Sequence, residues 1–201
     1  HPICERISII GNIITPTANT SAIHASAKYL TISGNTIHNG YVSVRRQIVC
    51  ESLVVTGNTY TGASKYILLV KDGLNISRIN HITVANNVAQ TATNGVNINC
   101  IDTAGTVIIK NNVISATADT GYGVAIVHPT HCKQVTIQNN SILHSGGAAV
   151  RVENATAFDI TGNEICNPGQ DTSSSSFSNI MELHNCGTGD VIGNHIYLDS
   201  D

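Results

Sequence analysis

Tryptophan is absent from this chain, Met occurs once, Phe twice and Leu only eight times in 201 residues. A helical bundle draws heavily on Leu, Ala, Glu and Lys, so this shortage argues against one. Charge is scarce too, at 11% of residues, and the net value is −3. No basic footprint for nucleic acid or an anionic membrane is present. No apolar run approaches the roughly 18 to 20 residues that would cross a bilayer. The chain opens at His1 and Pro2 without Met or a signal-like leader, so it is expected to be a piece of something longer. The six cysteines (Cys4, Cys50, Cys100, Cys132, Cys166 and Cys186) form no C-x-x-C pair and read as small buried hydrophobes. There is no P-loop, dinucleotide fingerprint or Ser-His-Asp motif, and no cofactor is expected.

What the chain does have is 27 Ile, 17 Val, 21 Thr, 22 Asn and 17 Gly. Branched side chains suit a pleated, half-buried surface, and Asn and Gly suit turns. With 41% apolar residues a core can form, so disorder is not expected. The length suits a single domain over 1–201.

An internal repeat organises that composition. Each copy is a short alternating apolar strand, then Gly-Asn or Asn-Asn, then a return to apolar residues. The first copy runs Ile7, Ile9, Gly11, Asn12, Ile13, and the last Val191, Gly193, Asn194, Ile196. The second residue of the pair is always Asn, at 12, 35, 58, 87, 112, 140, 163 and 194, in steps of 23, 23, 29, 25, 28, 23 and 31. Gly and Asn accept a left-handed backbone at little cost. An inward Asn amide, stacked on the same residue in neighbouring coils, satisfies itself and the turn. The variable step confines insertions to loops, as in a solenoid. Between the Asn turns lies a second set of alternating strands, among them Tyr41 to Arg45, Gly95 to Cys100, Gly123 to His128, Ala148 to Glu153 and Asn179 to His184.

These eight repeats resemble the right-handed parallel β-helix of the pectate lyase superfamily, most closely bacteriophage tailspikes and related polysaccharide depolymerases. The resemblance covers Ile7 to about Tyr197. It implies an all-β solenoid of about seven coils with an asparagine ladder. It also implies that substrate lies on the outer face of the strand after the variable loop, that the partner is cell-surface polysaccharide, that the protein sits on a virion tail or outside the cell, and that flanking regions hold it as a homotrimer.

Alternation on that strand turns Val150 and Val152 inward and leaves Arg151 and Glu153 outside. In the following coil Met181 and Leu183 turn inward, leaving Glu182 and His184 outside. Glu153 and Glu182 are the candidate catalytic pair for glycosidic hydrolysis. One coil and two residues of offset puts their carboxyls roughly 6 to 9 Å apart, compatible with inversion. The candidate substrate-binding residues are Arg151, which would hold one of the two carboxylates ionised or clamp a sugar carboxylate, His184 and His128, as proton shuttles, and Tyr122, Asn97 and Asn99. The bland alternative is a solvated ladder of salt bridges. Tyr41, Tyr66 and Tyr122 at the strand mouths are either sugar platforms or loop packing. The family's glycosidases commonly carry Asp pairs, and none stands on these strands; Asp72 and Asp102 read as turn residues. The loop from Cys166 to Asn179 is Ser-rich and reads as a flap over the patch. His128, His131 and Cys132 make a weak zinc pattern that nothing nearby in sequence completes, so no metal is expected. Two other functions remain open: a non-catalytic adhesin or structural spacer, and an extracellular polysaccharide lyase or epimerase.

Overall fold

The computed structural model describes residues 4–17, 20–44, 50–64, 66–71, 79–91, 94–99, 105–116, 121–127, 131–168 and 179–198. These form an all-β parallel solenoid with three sheets. The first sheet has eight strands, from Arg6–Ile10 to Thr188–Ile192. The second has eight, from Ile13–Ile14 to His195–Tyr197. The third has seven, from Thr20–Ala25 to Met181–His184. Every third strand in sequence is a neighbour in space, so each coil visits the three sheets in turn.

Parallel register builds continuous columns of like residues. Ile9, Ile32, Val55, Val84, Ile109, Ile137, Ile160 and Val191 succeed one another across the first sheet. The six interior members are fully buried. Each strand is too short to be stable alone, and stacking both pairs its backbone and buries this stripe. In the second sheet the ring of Tyr60 falls between Ile37 and Ala89, a large residue offset by a small one.

The turn after the first sheet explains the repeat. Gly11, Gly34, Gly57, Asn86, Asn111, Asn139, Gly162 and Gly193 all have φ between 52° and 71°, the left-handed region. The Asn that follows points inward. Its Oδ1 accepts both the backbone N–H and the Nδ2 amide of the preceding ladder Asn: 2.9 and 3.0 Å for Asn35 onto Asn58, and 3.0 and 2.9 Å for Asn112 onto Asn140. Each Nδ2 also donates to a carbonyl one coil back, as Asn87 does to Val55 at 3.0 Å. Asn35, Asn58, Asn87, Asn112, Asn140 and Asn163 are buried, and the stretch they bound makes about five turns. That is slightly fewer than the seven coils expected.

The cysteines follow the same stacking logic. The bridge from Cys50 to Ile79, the pairing of Cys132 with Ala155, and the bond from Gly187 N–H to the Ala155 carbonyl place Cys50, Cys132 and Cys186 in one inward column. Cys4 begins that column, opposite Ala27, since Lys28 N–H reaches the Cys4 carbonyl. Successive thiols are at least two coils apart, about 9.6 Å, too far for a disulfide. They are free thiols, and burial pushes Cys50 up from its usual value. Cys100 lies outside the described residues.

Candidate functional site

On the outer face of the third sheet, register sets Arg151 beside Glu182 and Glu153 beside His184. Strand alternation carries them there, because Val150 and Val152 on the same strand are wholly buried in the core. The Arg151 guanidinium ties the group together. Its Nε and Nη2 donate to Glu153 Oε1 at 2.9 and 2.7 Å, and its Nη1 donates to the Tyr122 hydroxyl at 2.9 Å. The same Nη1 lies 3.4 Å from Glu182 Oε2, and His184 Nε2 lies 3.6 Å from that oxygen. The guanidinium carbon sits 5.7 Å from the centre of the Tyr122 ring. Burial works against the Arg151 charge, but the hydrogen bonds it donates to Glu153 and Tyr122 outweigh it and hold its proton more tightly than usual.

Five of the eight residues singled out in sequence therefore meet in one cluster: Tyr122, Arg151, Glu153, Glu182 and His184. Asn97 and Asn99 share the face but pair with Ala125 and Val127, two coils from Arg151 and Glu153. They stand about 9.6 Å from the cluster and do not contribute to it. His128, the flap residues 169–178, Asp72, Asp102 and Arg45 lie outside the described residues.

The bland alternative holds in part. The cluster is a ladder of ion pairs, Arg151 to Glu153 and Glu182 and His184 to Glu182, with Arg151 and His184 open to water, while Glu182 is only 9% exposed. Facing away from the core is not the same as facing water here. Ser43 and Ala125 also turn outward from the third sheet, yet they are 0% and 1% exposed. Of the two roles expected of Arg151, its contacts fit pairing with the site's own carboxylates rather than clamping a sugar's. It fills the space between Glu153 and Glu182 where a scissile bond would lie. Leu183 turns inward as expected but is 37% exposed, because no further strand of the third sheet covers it among the described residues.

Tyr41 and Tyr66 pack edge to face with centroids 5.3 Å apart, which favours packing over separate platforms. The zinc pattern does not assemble. Cys132 Sγ turns inward onto the Gly105 carbonyl, while His131 Nε2 bonds the Thr156 hydroxyl at 3.0 Å. Among the described residues no group of three His, Cys, Asp or Glu is arranged to hold a metal ion.

A surface groove escaped the sequence reading. A groove of about 490 Å³ runs over the outer face of the second sheet, floored by Val88 and Val113 and edged by Thr59, Gln90, Ser115 and His144. Val88 and Val113 are adjacent in register and 51% and 40% exposed. A signal was present in sequence: the residue after the ladder Asn is polar in Thr36, Thr59, Ser141, Glu164 and His195 but apolar in Ile13, Val88 and Val113, and only the last two are neighbours. No family model matches the chain, and comparison with curated proteins and with solved structures finds no significant relative.

Proposed function

We propose that this chain is a glycan-binding β-helix module whose contact site is the cluster of Tyr122, Arg151, Glu153, Glu182 and His184. The observation that carries this reading is the Arg151 guanidinium held at once by Glu153, Glu182 and Tyr122. Such a clamp fixes polar groups in advance, so a ligand meets a rigid array and little entropy is lost on binding. Two carboxylates share one guanidinium, so their formal negative charge exceeds its positive one. That balance suits neutral or amino sugars and disfavours uronates, whose carboxylates would meet like charge. The fold is compatible with polysaccharide binding.

Cleavage is the finer reading. Glu153 and Glu182 sit one strand and two residues apart, about 8 Å between backbones, within the range for an inverting pair. Arg151 would have to leave the gap for a glycosidic bond to enter, so binding without hydrolysis is the better-supported function. A place on a virion tail or outside the cell, and trimer formation through flanking regions, complete the proposal.

Glycan-array binding followed by product analysis tests it. Neutral or amino-sugar glycans should bind, and Glu182→Gln should weaken amino-sugar binding about tenfold, roughly one charge-assisted hydrogen bond. Retention confined to uronate polymers, or no binding, would sink the proposal, and the latter outcome would favour a structural spacer. Released oligosaccharides lost in both Glu153→Gln and Glu182→Gln would establish hydrolysis. Unsaturated products absorbing in the ultraviolet would establish a lyase instead.

A further inference from the structure

Resting on the glycan-binding reading of the cluster, we infer that Asn94 is a positioning residue of that site. It holds Tyr122 where the hydroxyl keeps Arg151 between the two glutamates. Among the described residues the buried asparagines are Asn35, Asn58, Asn87, Asn112, Asn140, Asn163 and Asn94. The first six are ladder rungs at the turn after the first sheet. Asn94 is not a rung. It stands just before strand Val96–Asn99 of the third sheet and is 8% exposed. Burying an amide costs free energy unless its polar atoms are used, so its place has a cause outside the ladder.

Asn94 Oδ1 accepts the Tyr122 backbone N–H at 2.8 Å. The next residue, Gly95, donates its own N–H to the Tyr122 carbonyl at 2.9 Å. Together they hold both polar groups of the Tyr122 backbone. Register explains the placement: Val96 pairs with Val124, so two residues earlier Asn94 lies beside Tyr122 in the following coil. The sense is opposite to that of the ladder, where each Oδ1 serves the coil before it, as Asn58 serves Asn35. Asn94 serves the coil after it, the direction in which the site lies.

Tyr122 passes the placement on. Its hydroxyl accepts from Arg151 Nη1 at 2.9 Å, and its ring centre lies 5.7 Å from the guanidinium carbon. A tyrosine has few side-chain torsions, so a fixed backbone leaves its hydroxyl little choice of place. Without the Asn94 acceptor the Tyr122 N–H is orphaned, and the backbone leading into strand Val124–Val127 can shift. Arg151 Nη1 then keeps only Glu182 among the described residues, at 3.4 Å the longest of its polar contacts. A looser guanidinium weakens binding, because the ligand must order it. Affinity at Arg151 and Glu182 is thus controlled from a residue that touches neither.

Two readouts on the intact chain test this, and one needs no ligand. By NMR, the Arg151 Nε–H, which donates to Glu153, should exchange slowly with water in the parent. Asn94→Leu keeps the bulk and removes the acceptor. It should speed that exchange and weaken binding of a glucosamine oligomer, each about tenfold, the cost of re-ordering one or two side chains. Asn94→Asp keeps an oxygen for the Tyr122 N–H and should restore both. Tyr122→Phe should match Asn94→Leu, and the double variant should add nothing, because the two residues act through one link. A residue that only stabilised the fold would lower the melting temperature of Asn94→Leu and leave the Arg151 exchange unchanged, which overturns the inference. So does parent-like oligomer affinity in a folded Asn94→Leu, or fast Arg151 exchange in a folded Asn94→Asp. Slow exchange retained in Tyr122→Phe overturns it without any change at Asn94, should Asn94→Leu not fold. If the parent binds no oligomer while Asn94→Leu still speeds the exchange, the positioning role stands and the glycan reading falls.

Discussion

Asn87 Oδ1 accepts both the N–H and the Nδ2 of Asn58, at 2.9 and 3.0 Å, across 29 residues of chain. One side-chain oxygen thus ties two successive coils. Asn87→Ala removes that acceptor, leaves the Asn58 N–H buried and unpaired while its Nδ2 keeps the Ile32 and Thr56 carbonyls, and also deletes the bonds to Val55 and Asn112. A loss of about 3 kcal/mol is expected in denaturant unfolding, since each orphaned buried group costs roughly 1–3 kcal/mol. Asn12→Ala, at an open end, should cost under about 1 kcal/mol. Equal losses at the two sites would show that the ladder is not the source of stability.

Arg151 couples the candidate site to folding. Arg151→Met leaves two largely buried carboxylates without their cation. About 2–3 kcal/mol should be lost, at the low end of the buried-pair range because Arg151 keeps partial exposure. The triple variant Arg151→Met, Glu153→Gln, Glu182→Gln should recover most of it, because no uncompensated charge remains. Thermal unfolding of the two variants measures the difference.

Tyr60 is buried with its hydroxyl unpartnered among the described residues. Tyr60→Phe removes a polar group that the core does not satisfy while keeping the ring between Ile37 and Ala89. The variant should be as stable as the parent or more stable by about 1 kcal/mol. A clear loss of stability would mean the hydroxyl is satisfied in solution, for instance by a bound water.

Alkali should act through two tyrosines. The hydrogen bond to Glu164 pushes the Tyr197 phenol up to about 12, and burial pushes Tyr60 far above its usual 10. A phenol raised in the folded state contributes stability that is complete below pH 10, the unfolded value. For Tyr197 that contribution fades as pH climbs from 10 to about 12. Phenolate absorbance should show Tyr60 ionising only together with loss of β structure. Tyr60→Phe should remove that cooperative component, and a smooth titration with native circular dichroism would contradict it.

Thiol labelling checks the core column. Cys50 and Cys132 are buried and Cys4 is exposed. Maleimide should modify Cys4 in the native protein and reach Cys50 and Cys132 only on unfolding.

The architecture was legible because its cause is local and repeated. A left-handed residue followed by an inward Asn is a constraint on residue type, so eight copies spelled out the coil, the turn and the first strand. Outward position on the third strand was legible for the same reason, and it brought Arg151, Glu153, Glu182 and His184 together correctly. Solvent exposure was not legible. Alternation fixes which face a side chain takes, but not what lies over that face, so the burial of Glu182 and Ser43 had to come from three dimensions. The engagement of Arg151 by both carboxylates was equally hidden, because it depends on rotamers across two coils. The groove over Val88 and Val113 was hidden for a similar reason: an apolar residue after the ladder Asn also stands at Ile13, so residue type alone does not mark a concavity.

The unbroken row of amide rungs carries a consequence for how the molecule comes apart. Each coil touches only the coils above and below it, so the solenoid is a one-dimensional chain of coupled units. A break at one rung weakens its two neighbours most and distant coils least. In Asn87→Ala, amide hydrogen exchange should therefore speed most in the coils of Asn58 and Asn112 and least near Asn163.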